Sequence, residues 1–184
     1  SRHTRAFVKI QEGCDVFCSY CIIPYARNPL KSRNPDSVVH QVQKLTAAGY
    51  REVVIVGTHL GLYGKETSGR ISLLELLKRI CRETSIERIR LSSLEPMDMS
   101  EDFIRFIRAE PRICRHLHLP IQSADDEILE WMGRPYSSAD IQSMFAQLAA
   151  ELPDICLGTD IITGFPGETE EHYNRIYNRL EEIP

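Results

Sequence analysis

Glu12-Gly13-Cys14-Asp15-Val16-Phe17-Cys18-Ser19-Tyr20-Cys21 puts three thiols within eight residues. The stretch follows directly on the apolar run Ala6–Gln11, which reads as a strand, so the thiols sit on the loop that leaves it. Gly13 frees the backbone to turn, as a loop wrapped around a bound group requires. Outward from this loop one alternation repeats. Short runs suited to strands are Glu52–Gly57, Arg88–Ser92, Arg115–Leu119 and Ile155–Ile162. Between and after them lie stretches with helical spacing: Asp36–Ala48, Ser72–Glu83, Ser100–Ala109, Asp125–Met132, Ser138–Leu152 and Glu168–Glu182. Strands parted by helices are expected to run parallel, with right-handed crossovers. This α/β order fits a doubly wound sheet as well as a barrel or part-barrel.

The remaining composition narrows the class. The chain has 184 residues, 42% hydrophobic and 26% charged, which is ordinary for a globular domain and excludes a disordered tail or a collagen-like rod. Its longest apolar runs fall far short of the roughly 20 residues of a membrane span. The polar opening Ser1-Arg2-His3-Thr4-Arg5 is no signal peptide, and the missing initiator Met marks an expected excised piece of a longer protein. A net charge of −4 argues against general nucleic-acid binding, yet the charge is uneven: residues 1–36 carry +3 and residues 151–184 carry −6. A local basic loop can still meet phosphate.

Three clustered thiols beside scattered Cys81, Cys114 and Cys156 do not form a secreted disulfide framework, so a reducing cytoplasm is expected. The scattered three read as buried small hydrophobes. Three thiolates on one loop can hold three corners of a cubane iron–sulfur cluster and leave the fourth iron without a protein ligand. Zinc remains an alternative, with His3 or His40 as fourth ligand. A ferredoxin-type site wants a fourth nearby Cys, and the next is Cys81.

Cys14-x3-Cys18-x-Tyr20-Cys21 resembles the signature of the radical S-adenosylmethionine (SAM) superfamily, aromatic residue before the third Cys included. The resemblance implies a partial (β/α) barrel of about five βα units, here ending before a sixth strand. It implies a [4Fe-4S] cluster on Cys14, Cys18 and Cys21, whose open iron chelates SAM and whose electron cleaves it to a 5′-deoxyadenosyl radical. Active sites of such barrels lie at the C-terminal strand ends. Those ends are rich in polar residues: Gly57-Thr58-His59, Ser92-Ser93-Leu94-Glu95, Gln122-Ser123 and Thr159-Asp160.

Further strings resemble the radical-SAM domain of the methylthiotransferases across essentially the whole chain: Cys21-Ile22-Ile23-Pro24-Tyr25-Ala26-Arg27, Leu119-Pro120-Ile121-Gln122-Ser123, Trp131-Met132-Gly133-Arg134-Pro135-Tyr136 and Thr159-Asp160-Ile161-Ile162-Thr163-Gly164-Phe165-Pro166-Gly167-Glu168-Thr169. Gly57-Thr58-His59-Leu60-Gly61-x-Tyr63-Gly64 and Arg90-Leu91-Ser92-Ser93-Leu94-Glu95-Pro96 are most like the branch acting on threonylcarbamoyl-adenosine in tRNA. Asn28 departs from the family's Gly after the Arg, though Asn tolerates a left-handed backbone. The resemblance implies 2-methylthiolation of the adenosine next to the anticodon. Another tRNA adenosine or a ribosomal-protein side chain is an alternative substrate, and a non-enzymatic zinc or iron–sulfur module an alternative class. It further implies an N-terminal domain with a second [4Fe-4S] cluster and a C-terminal RNA-binding domain outside this chain, and an electron donor such as flavodoxin or ferredoxin. Tyr20 is expected beside the cluster and the SAM adenine, and Gly57, Thr58 and His59 at the methionine end of SAM. Ser92, Glu95, Gln122 and Asp160 are expected as pocket polars. Arg27, Lys31 and Arg33 are expected to meet RNA phosphate.

Overall fold

The computed structural model describes residues 4–27, 29–67 and 71–183. His3 and Asn28, weighed above as a zinc ligand and as a loop residue, lie outside them. Strand β1 (Ala6–Lys9) is followed by a two-residue hairpin of β2 (Gln11–Glu12) and β3 (Lys31–Ser32). Three further strands, β4 (Glu52–Val56), β5 (Arg88–Leu91) and β6 (His116–His118), precede the last, β7 (Cys156–Gly158). The helices are α1 (Ile23–Ala26), α2 (Pro35–Ala47), α3 (Leu73–Glu83), α4 (Glu101–Ala109), α5 (Asp126–Trp131), α6 (Ser138–Glu151) and α7 (Glu170–Glu181).

The major strands are parallel, as their separation by helices requires. β1 pairs with β4 from Ala6 opposite Val53 to Lys9 opposite Val56, and β4 pairs with β5 from Glu52 opposite Arg88 to Ile55 opposite Leu91. β6 pairs with β7. The seam between the two sheets is held by a parallel bridge from Ile89 to Ile113 and by the Leu94 N–H donating to the His118 carbonyl at 3.0 Å. The strand succession therefore follows chain order, which brings all C-terminal strand ends to one side. Val53, Val54 and Ile55 are consecutive and buried, so β4 is covered on both faces, as the centre of a parallel sheet must be.

Helices cover that sheet through apolar stripes. α3 turns Leu73, Leu76, Leu77 and Ile80 inward. Side-chain caps at Ser72, Ser100, Asp125, Ser137 and Thr169 satisfy otherwise orphaned N–H groups, each worth about 1 kcal/mol. Two expected strand boundaries and one expected burial need correction. Ala6–Gln11 is not one strand: at Gln11 the chain leaves β1 to pair antiparallel with Ser32. Ile155–Ile162 is ladder only at Cys156–Gly158, because the Thr159 hydroxyl takes over the Leu119 carbonyl and the Ile121 N–H. Cys156 is exposed, not buried: it opens a strand that pairs on one side only among the described residues. Cys81 and Cys114 are buried as expected, and burial pushes the Cys81 thiol up to about 12. No helix among the described residues is long and apolar enough to cross a membrane.

Candidate metal and cofactor site

The cysteine loop starts where β1 meets the hairpin, and Gln11 pins it. This side chain is 1% exposed. Its amide donates to the carbonyls of Gly13 at 2.6 Å and Glu12 at 3.0 Å, while its oxygen accepts the His59 N–H at 2.9 Å. One buried amide thus fixes the loop to the end of β4. Gly13 takes φ 77°, the left-handed turn expected of it. On the far side the loop is tied to the end of α5: the Ser19 N–H donates to the Met132 carbonyl at 3.1 Å and the Ser19 hydroxyl to the Trp131 carbonyl at 2.7 Å.

Two of the thiols have side-chain partners. Cys14 Sγ lies 3.8 Å from His59 Nδ1, and Cys18 Sγ accepts from the Arg134 guanidinium at 3.2 Å. Burial pushes the Cys14 thiol up, opposed by a backbone hydrogen bond from Val16. Arg134 is itself buried. Its Nε donates to the Tyr136 hydroxyl at 2.8 Å, its other groups reach Tyr20 Oη at 3.4 Å and pair with the Glu95 carboxylate, and it stacks 4.9 Å from the Tyr136 ring centre. Burial raises the Tyr20 hydroxyl pKa, so it stays a neutral hydrogen-bonding group.

The spread of the thiols tests what they can hold. The three sulfurs are not gathered within 4.8 Å of one another. Thiolates sharing one tetrahedral zinc, with Zn–S near 2.3 Å, stand about 3.8 Å apart. His40 sits on an exposed position of α2 and completes no such set. Three thiols on one pinned loop are the donor set of a group that meets each sulfur with a different metal atom, as a cubane cluster does. A different set does gather: Asp125, Glu127 and His172. Arg175 closes it, donating to Asp125 at 2.7 Å, and Asp125 also caps α5, so these residues lock α7 onto α5.

The other expected residues divide. Gly57 and Thr58 line a small cleft with Gln11 and Ile23, beside the loop. A Cβ on Gly57 would stand 2.9 Å from Gln11 Oε1, so glycine is required for the pin. His59 is buried between Cys14 and Asp98, whose Oδ2 is 3.6 Å from Nε2. Ser92 Oγ is buried without a hydrogen-bond partner among the described residues. Gln122 has φ 68°, the only positive φ at a described residue other than glycine. Such backbone strain persists where surrounding structure imposes it, and it gathers at functional sites. Asp160 is 69% exposed and stands 3.4 Å from His118 Nε2. Arg27 and Lys31 are exposed, Arg27 meeting Glu12 at 3.3 Å. Arg33 is engaged within the fold, donating to the Lys9 carbonyl at 2.9 Å, to Gln41 and to the Ser37 hydroxyl at 3.0 Å. A cleft of about 700 Å³ opens beside Cys14, walled by Phe17, Tyr25, Arg27 and Lys65. Gln11, Asp98, Arg134 and Tyr136 escaped the sequence reading as site residues. Arg134 lies within the Trp131–Tyr136 string already singled out, but nothing local says that it points back to Cys18.

Comparison with known proteins bears on this arrangement. The family model described as the Radical SAM superfamily matches residues 8–180. The chain is 41% identical over 178 residues to a tRNA-2-methylthio-N(6)-dimethylallyladenosine synthase of Syntrophobacter fumaroxidans, covering 97% of this chain and 39% of that protein. It is 42% identical over 172 residues to the ribosomal protein uS12 methylthiotransferase RimO of Desulfotalea psychrophila, covering 94% and 39%. The chain thus spans about two-fifths of the length of these relatives. Among solved structures, the radical SAM methyltransferase TsrM of Kitasatospora setae, with cobalamin and a [4Fe-4S] cluster bound, superposes with TM-score 0.78 at 22% identity, over 97% of this chain and 34% of that one. Methylornithine synthase superposes with TM-score 0.62 at 17% identity, over 98% and 50%.

Proposed function

The chain belongs to the Radical SAM superfamily, and from that premise we propose that it is the radical-generating core of a methylthiotransferase whose substrate is threonylcarbamoyl-adenosine beside the tRNA anticodon. Enzymes of this superfamily use a [4Fe-4S] cluster and SAM. The observation that carries the reading is the thiol trio on the loop after β1, pinned by Gln11 and flanked by Arg134 and His59. When bound, cluster and SAM supply the one-electron chemistry that opens a C–H bond.

The chain's own residues bind and orient. Cys14, Cys18 and Cys21 hold the cluster. Gln11 and the Ser19 hydrogen bonds fix the loop from both sides, so the thiols are pre-placed. Arg134 puts a permanent positive charge beside an anionic cluster. Tyr20 presents a neutral hydroxyl and ring next to it. Gly57 and Thr58 leave room for the methionine end of SAM, and Ser92, Glu95, Gln122 and Asp160 line the remaining strand ends. The apolar residues of β4, β5, α2, α3 and α4 form one buried core that supports the strand ends.

Methylthiolation is supported by relatives near 40% identical that carry that activity in their names. Those relatives act on an RNA and on a ribosomal protein. The cleft beside Cys14 favours RNA: Phe17 and Tyr25 are 62% and 73% exposed, and their rings pack edge-to-face at 5.5 Å. Arg27 and Lys65 line the same cleft with Asp15 and Glu66, Lys65 standing 3.6 Å from Asp15. Exposed rings beside cations suit a splayed base and its phosphate. Arg27 and Lys31 are the phosphate contacts, with Arg33 bracing their loop. Threonylcarbamoyl-adenosine is supported by the Gly57–Gly64 and Arg90–Pro96 strings. The complete protein would add a second-cluster domain and an RNA-binding domain, draw electrons from a flavodoxin or ferredoxin, and work in the cytoplasm.

Anaerobic reconstitution tests the reading. The trio should account for about four irons per chain, counted as the difference between the native protein and its Cys18→Ala variant. Stoichiometric zinc with no such iron difference would overturn it. Mass spectrometry of tRNA digests from the complete protein then separates the nucleoside substrates.

A further inference from the structure

We propose that the short turn from Glu95 to Asp98 is a positioning clamp for the cluster thiolates, acting through two buried intermediaries. This deepens the iron–sulfur reading and rests on it. The turn follows β5 as a single 3-10 turn, Pro96–Asp98. Its two end residues tie to each other: the Glu95 backbone carbonyl accepts the Asp98 N–H at 2.9 Å, and the Asp98 carboxylate accepts the Glu95 N–H at 2.9 Å. Each carboxylate also reaches outward to a different ligand's partner. Glu95 pairs with Arg134, whose guanidinium donates to Cys18 Sγ at 3.2 Å. Asp98 stands 3.6 Å from His59 Nε2, and His59 Nδ1 is 3.8 Å from Cys14 Sγ.

The rest of the fold is shaped around these links. Arg134 and Glu95 side chains are only 3% and 21% exposed, and His59 and Asp98 6% and 13%. A Cβ on Gly61 would fall 1.8 Å from Asp98 Oδ1, so the Asp98 carboxylate occupies space that only glycine leaves. One carboxylate of the turn thus holds the guanidinium that donates to Cys18, and the other stands beside the imidazole that contacts Cys14. A long charged side chain such as Arg134 gives up several rotamers when ordered, and a buried carboxylate that holds it removes that loss from the moment the cluster binds.

Hydrogen bonds to cluster sulfurs and the net charge around them set an iron–sulfur potential. Arg134 favours the reduced, more negative cluster, and Glu95 offsets that charge. Replacing them must therefore move the potential in opposite directions. Packing damage would not: losing either partner of a buried pair loosens the same contact.

The test is a reductive titration of the reconstituted protein, followed by the electron paramagnetic resonance signal of the reduced cluster. Glu95→Gln should shift the midpoint to more positive potential, and Arg134→Gln to more negative. His59→Phe and Asp98→Asn should each shift it less than either the arginine or the glutamate change. Iron retained with both Glu95→Gln and Arg134→Gln unmoved, or moved in the same direction, overturns the clamp. If Arg134→Gln loses its iron, Arg134→Lys decides. Iron kept by the lysine variant supports a charge at Cys18, and iron lost from both assigns Arg134 to packing alone and overturns the clamp. Absence of trio iron in the native protein is a separate outcome: it sinks the iron–sulfur reading itself.

Discussion

The two flanks of the candidate site are built on different terms. On the flank of β1, β4 and β5, most polar side chains near the thiols are held inside the fold: Gln11 binds Gly13 and His59, Glu95 pairs with Arg134, and Asp98 stands 3.6 Å from His59. On the flank of β6 and β7 the strand ends are looser. Asp160 is mostly exposed, β7 spans three residues, and Cys156 at its start faces solvent. The contrast teaches where the fold places its precision. A ligand set needs pre-placed donors and a dry surround, whereas the side that admits a substrate has to stay open. Gln122, with its left-handed backbone, ties the open flank together: its N–H and carbonyl bond Asp160 and Ile162.

The largest effect is expected at the thiols. Cys18→Ala should abolish cluster loading and SAM cleavage, whereas alkylation of Cys156 should leave both intact; loss of iron on Cys156 modification would erase the distinction between the flanks. Next, Gln11→Ala leaves the Gly13 carbonyl and the buried His59 N–H without their partner. It should lower stability by about 1–3 kcal/mol, read from denaturant unfolding, while Asp160→Ala should stay within about 0.5 kcal/mol. Gly61→Ala should cost about 1–3 kcal/mol by pressing on Asp98, and an unshifted melting curve would show that the turn yields freely.

Smaller effects sharpen the picture. In the complete protein, Arg27→Ala with Lys31→Ala should weaken tRNA binding and flatten its dependence on salt, because fewer counterions are released. Arg33→Ala should act on stability more than on the salt slope, since its guanidinium is bound to Lys9, Ser37 and Gln41. Acid should also act on the locked helices. Burial raises the Asp125 carboxyl, but the Arg175 hydrogen bond and charge, the Ile128 N–H and His172 together outweigh it and hold the group below its usual range. The Arg112 hydrogen bond holds Glu110 at about 2. A depressed carboxyl stabilises fully above its unfolded pKa, so stability should be flat near neutrality and fall as pH drops below about 4. Asp125→Asn should remove part of that fall; an unchanged acid limb in urea titrations would show that other carboxylates carry it.

Much of this was legible in the chain. The thiol spacing, the alternation of strands and helices, and the caps at Ser100 and Gly49 are local, and local chemistry sets them. The strand ends rich in polar residues could be read one by one and gathered at one side by parallel pairing. What could not be read was direction. Arg134 stands 116 residues from Cys18, and only the packing of α5 against the cysteine loop turns its guanidinium toward the sulfur. Arg33 looked like its neighbours Arg27 and Lys31, yet the hairpin folds it inward onto Lys9. Cys156 read as apolar in its run, and only the uncovered edge of β7 exposes it. Spacing along a chain determines which groups a loop can offer, because a few bonds limit their separation. Which distant group meets them is set by burial, where a charge or an amide must find its partner across the fold or lose more than it gains.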